Sequence, residues 1–109
     1  MATLSVQQSV RAGLTLARAS AAGGGDKFLN TGKEALIIKN GDSGSHTVTI
    51  VSQSTMDGLA VADRAVAVAA GAEKVIGPFQ PNVYNDDDGF VQLTYDGVTS
   101  VTVAVVKIV

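Results

Sequence analysis

From Glu34 onward, apolar and polar positions alternate in short runs that are broken by glycine, asparagine and aspartate. EALIIKNG (34–41), SHTVTIVSQS (45–54), the Ala/Val alternation of 63–68, EKVIGPF (73–79), GFVQLTYDG (89–97) and SVTVAVVKIV (100–109) each predict a β-strand, because a half-buried strand has a side-chain period of two. Asn40-Gly41, Asp57-Gly58, Asp88-Gly89 and Asp96-Gly97 supply the turns between such runs. Short strands at this spacing, with no long stretch of period 3.6, predict an all-β single domain: an antiparallel β-sandwich, jelly-roll-like. Pro78 and Pro81 lack backbone donors, so GPFQPNVYNDDDG (77–89) is expected to be a long loop. The last run differs from the others. Val101, Val103, Val105, Val106, Ile108 and Val109 put apolar groups on both faces, which predicts a central, covered strand.

Residues 1–25 follow another pattern. Val6, Val10, Leu14 and Ala17 recur near helical spacing, but Gly13 among them costs a helix about 1 kcal/mol relative to alanine, and Leu14 and Leu16 suit a strand equally well. Gly23, Gly24 and Gly25 carry high backbone entropy and predict a hinge. The expected organisation is therefore an N-terminal extended or partly helical arm, residues 1–25, joined to a β-sandwich domain, residues 26–109. Leu4, Val6, Val10, Leu14 and Leu16 make the arm too apolar for a solvated tail. They are the candidate partner-binding residues, and the surface they need belongs either to a neighbour or to the chain's own body.

Composition narrows the function. With 109 residues and no cysteine, a core built mainly from Val, Ile, Leu and Ala has no disulfide or thiolate-metal support, so partners are plausible. No run of about 18 apolar residues occurs, no secretory pattern opens the chain, and a soluble protein is expected. Charge is uneven: residues 1–25 carry only Arg11 and Arg18, whereas residues 35–109 carry four basic against eight acidic side chains. An acidic body with few aromatics offers neither a phosphate-tracking groove nor a stacking platform, so no nucleic-acid partner is expected.

Three motifs invite chemistry, and each has a plainer reading. YNDDDGF (84–90) resembles part of a calcium loop, but with Gly89 at the sixth position the first and twelfth positions are Tyr84 and Tyr95 rather than oxygen-rich ligands. A tight turn entering a strand explains it better. His46, the single histidine, lies in the polar turn GDSGSHTVT with no nucleophile context, which points to a surface histidine. AAGGGDK (21–27) lacks phosphate-loop spacing, because Gly25 is followed by Asp26, Lys27 and Phe28. No enzyme activity, metal or cofactor is expected.

GDKFLNTG (25–32), KNG (39–41), DGLAVADRAVAVAAGAEKVIGPF (57–79), VYNDDDG (83–89) and SVTVAVV (100–106) resemble a group of small head decoration, or cement, proteins encoded beside the capsid genes of tailed bacteriophages. The resemblance covers the body, and the arm matches least. It implies a jelly-roll β-sandwich that binds and stabilises the outside of an assembled capsid, with the major capsid protein as its partner and itself as a homotrimer. Such a protein is made in the host cytoplasm and resides on the outer surface of the virion. The alternative is a carbohydrate-binding or adhesion module displayed on the virion, in which Tyr84, Phe90 and Tyr95 would stack on sugars beside the acidic loop. Phe90 and Tyr95 fall on opposite faces of a strand, which weakens that reading.

Overall fold

The computed structural model describes residues 2–53, 55–56, 59–60 and 62–107. The six predicted strands are present as β5 (Glu34–Asn40), β6 (His46–Ile50), β9 (Arg64–Val68), β10 (Glu73–Ile76), β11 (Phe90–Tyr95) and β12 (Val101–Lys107). Shorter strands join them: β1 (Ala2–Thr3), β2 (Val6–Gln8), β3 (Ala19–Ser20), β4 (Asp26–Leu29), β7 (Thr55–Met56) and β8 (Leu59–Ala60). The first sheet has the order β1-β4-β11-β6-β9 and the second β10-β5-β12-β2, with β3 also on β12; β7 and β8 pair separately. The protein is a β-sandwich. From β4 to β12 the chain passes repeatedly from one sheet to the other. Asp57-Gly58, Ile108 and Val109 lie outside the described residues.

Strand alternation builds the core. Phe28, Leu36, Ile38, Val48, Ile50, Val91, Leu93, Val101, Val103 and Val105 point inward and are buried, and Phe79 and Tyr84 close one end. Ala104, on the outward face of β12, is also buried, while Thr102 and Val106 on the same face are half-buried, so that central strand is covered in part on its outer side. Three buried polar side chains secure the ends of elements, because each finds partners for its polar atoms. Asn30 Nδ2 donates to Phe79 O at 3.0 Å and Asn85 Oδ1 at 2.7 Å; Glu34 Oε1 accepts from the N–H groups of Thr31 and Lys33. Asn40 Nδ2 donates to Gly44 O at 2.8 Å and Val68 O at 3.0 Å, and its Oδ1 accepts from the Asp42 N–H.

Two expectations need amendment. The segment 77–89 is not wholly loop: Pro81 starts a single helical turn, α1 (Pro81–Tyr84), since its fixed φ suits a first helical position and its missing donor costs nothing there. The segment 1–25 is extended, but its strands belong to the two sheets, which makes both sheets mixed. β1 runs parallel to β4 and β2 parallel to β12, while β3 is antiparallel to β12. Without them β4 and β12 would be edges with unpaired N–H and C=O groups, and the segment satisfies those groups.

Candidate functional site

The five arm residues separate into two groups. Leu4 is 9% exposed and sits in the core, where the chain crosses from β1 in one sheet to β2 in the other; Val6 is half-buried against the same core. Val10 (57% exposed) and Leu14 (36%) stand out on the loop 9–18, with Leu16 half-buried in the same loop. Arg11 is exposed beside them.

The loop is held at its base and open at its tip. Gln7 Nε2 donates to Ala17 O at 2.7 Å while the Ala17 N–H donates to Gln7 Oε1 at 2.9 Å, so the side-chain amide pairs with a backbone as a strand residue would. Ser9 N–H donates to Lys107 O. Arg18 reaches Glu73 at 2.9 Å, across the outer face of the second sheet from β3 to β10, in a half-exposed pair worth less than about 1 kcal/mol. At the tip, a turn from Val10 to Gly13 requires the positive φ of Gly13. Beneath the base lies an open cavity of about 350 Å³ between β2 and β3, lined by Leu4, Gln7, Ala17, Arg18 and Val103–Val105.

No family model, curated protein or solved structure matches this chain. In YNDDDGF, Asp86 is occupied by the turn: Oδ1 accepts the Asp88 and Phe90 N–H groups, Oδ2 accepts Gln92 Nε2, and Gly89 has φ 85°. The donation from Gln92, then from the Phe90 amide, holds the Asp86 carboxyl below its ordinary range. Among the described residues, no group of three or more His, Cys, Asp or Glu is placed to hold a metal ion, and no helix is long and apolar enough to cross a membrane.

The rings required for sugar stacking are dispersed. Tyr84 is buried edge-on to Phe79 at 6.1 Å, with the Arg64 guanidinium 5.1 Å from its ring centre. Tyr95 donates its hydroxyl to the buried Asp26 at 2.8 Å, and burial, followed by that carboxylate, pushes its phenol well above the usual value. Phe90 lies on the opposite face under Lys27 Nζ, 4.8 Å from its ring centre. No shared platform results from these three positions.

His46 is less of a surface residue than its sequence context suggests. Its ring, 15% exposed, bonds through Nε2 to Asp42 Oδ2 at 2.9 Å, and its Nδ1 lies 3.4 Å from Asp96 Oδ1. Gly97 leaves room for it: an added Cβ there would stand 2.9 Å from His46 Cε1. The cluster ties the β5–β6 loop to the end of β11, an association set by strand register that local sequence does not reveal.

Asp42, then Asp96, raises the pKa of His46 above 6.5, while His46 lowers Asp42, and the Thr47 amide followed by His46 lowers Asp96, both from 3.8. The histidine's contribution to stability is complete below 6.5 and is lost as pH rises through its higher folded value. The carboxylates contribute above 3.8 and lose that contribution as pH falls through their lower folded values. Tm is expected to be higher at about pH 6 than at about pH 8.5, and His46→Gln should flatten that interval. An equal slope in the variant would remove the cluster from the account.

Proposed function

We propose that this protein is a structural, non-catalytic component of a virion. In this reading it binds the outer surface of an assembled phage capsid, engages the major capsid protein, stabilises the shell and acts as a homotrimer. The resemblance of its body motifs to capsid decoration proteins supports the reading. The observation that carries it is the loop 9–18, which presents Val10 and Leu14 to solvent beside Arg11. The rest of the chain is acidic: beyond residue 25 it has six basic residues, the total of eight less Arg11 and Arg18, against all ten acidic ones. A basic, apolar projection on an acidic body suits docking onto another protein's surface.

Co-sedimentation with undecorated capsids tests this. Burying Val10 and Leu14 would contribute roughly 1.5–3 kcal/mol each, so the double variant Val10→Asp/Leu14→Asp should bind at least about tenfold more weakly. Arg11→Gln should matter less, because an exposed charge pair contributes under about 1 kcal/mol. Both variants should keep the wild-type circular dichroism, since the altered side chains lie outside the core. Undiminished capsid binding by the double aspartate variant would rule out the loop as the docking element, and no binding of the wild type to capsids would refute the function itself.

A further inference from the structure

The segment 2–20 closes the sandwich as a strap, held to the body by three short pairings, by Leu4 in the core and by the Arg18–Glu73 pair. Its strands are only two, three and two residues long, each paired on one side to the body. The remaining strands already form two sheets without it, β4-β11-β6-β9 and β10-β5-β12. The link to the body is a turn in which Gly25 N–H donates to Ala22 O, and a Cβ placed on Gly23 or Gly24 would meet no atom within 4 Å. The hinge is closed by that bond, by the Ala22 N–H donating to Asp26 Oδ2 and by the buried Ala21, whose N–H donates to Val101 O, and not by packing at the two glycines.

A strap that opens leaves a specific vacancy. Lys27 O loses the Leu4 N–H that donates at 2.7 Å, Lys107 O loses the Ser9 N–H, and the inner wall loses Leu4. Unpaired strand edges and an uncovered apolar site favour a replacement with the same strand register and the same plug. A second copy of this chain carries that segment. We propose that the strap, residues 2–20, exchanges between copies, pivoting at Ala22–Gly25, so that the strap of one protomer pairs with β4 and β12 of another. Exchange creates no new class of contact, because each body regains the pairing it had within one chain. Concentration decides between the two forms: a short flexible linker gives the chain's own strap an effective concentration in the millimolar range, so exchange is captured when chains refold together at comparable density. The inference does not rest on capsid binding, and it holds or fails whether or not a capsid is the partner.

The absence of cysteine makes the test clean. Ser20 on β3 and Thr102 on β12 are register partners, so Ser20→Cys/Thr102→Cys places a disulfide between strap and body. The full-length double variant is refolded at about 1 μM or about 1 mM, diluted and then oxidised, with each single variant as control. Non-reducing electrophoresis should show monomer after dilute refolding and mostly 20–102 interchain species after concentrated refolding, confirmed by peptide mass. Intrachain disulfide alone at both concentrations would overturn the proposal. By light scattering, a chain lacking Gly23 and Gly24 should have a larger mass than the wild type at the same concentration, because the shortened turn hinders the strap from folding back. A folded monomer with its strap in place would count against exchange, and if this chain fails to fold, the cysteine pair decides.

Discussion

Phe79→Ala is expected to cost about 3–5 kcal/mol, a large share of the roughly 5–15 kcal/mol that holds a domain folded. Phe79 is fully buried, edge-on to Phe28 at 5.5 Å and to Tyr84 at 6.1 Å, with Arg64 5.8 Å from its ring centre. With three phenylalanines, two tyrosines and no tryptophan, the core has few large side chains able to fill the space left behind. The backbone adds to the loss: Phe79 O accepts from Asn30, so a shift of 77–80 into the cavity strains the Asn30–Asn85 lock. Urea denaturation should show a midpoint lower by 1 M or more, given slopes of about 1–3 kcal/mol per molar for small proteins. A loss below about 1 kcal/mol would mean that Phe79 and Tyr84 do not form a packed closure at this end of the sandwich.

The second large effect is expected at Asn40. Its side chain is fully buried and serves three backbone groups: the Gly44 and Val68 carbonyls and the Asp42 N–H. Asn40→Ala removes all three partners. Leaving a buried polar group unpaired costs about 1–3 kcal/mol, but Asp42 and Gly44 lie in a loop that water can reach, so the Val68 carbonyl should dominate a total near 2–4 kcal/mol. Hydrogen exchange provides a local check: the Asp42 amide should lose protection in the variant, whereas the amide of Val103 on β12 should follow global stability. Asn40→Asp keeps an acceptor for the Asp42 N–H but loses both donations and buries a charge, so it should be no milder than alanine. A variant that loses protection at Asp42 without losing stability would confine the role of Asn40 to its loop.

The sandwich was legible because its longer strands alternate over four to seven residues, enough for a period of two to stand out: Leu36/Ile38 on β5, Val91/Leu93 on β11 and Val101/Val103/Val105 on β12. β1, β2 and β3 have two or three residues each, too few for any period, and they form because β4 and β12 need partners. For the same reason, apolarity alone marked Leu4, Val6, Val10, Leu14 and Leu16 without separating Leu4, which plugs the chain's own wall, from Val10 and Leu14, which face solvent. The loop's fastenings were hidden by distance. Arg18 and Glu73 are 55 positions apart, and the Gln7–Ala17 pairing uses a side chain where a strand would use its backbone.

The way β2 and β3 share one side of β12 has a mechanical meaning. Loop 9–18 leaves the sheet beside Lys107 and returns beside Val103, so both of its ends are anchored to the same strand. That strand is bonded on its other side to β5 along its whole length, from Val101 opposite Asn40 to Lys107 opposite Glu34. Tension applied at the loop tip therefore enters the sandwich through its longest ladder. A pull along the axis of β2 loads its pairs with β12 together, in shear, whereas a pull away from the sheet breaks them one at a time. A tether built this way transmits load to the middle of the second sheet, and the Arg18–Glu73 pair gives it a second, weaker route to the β10 border.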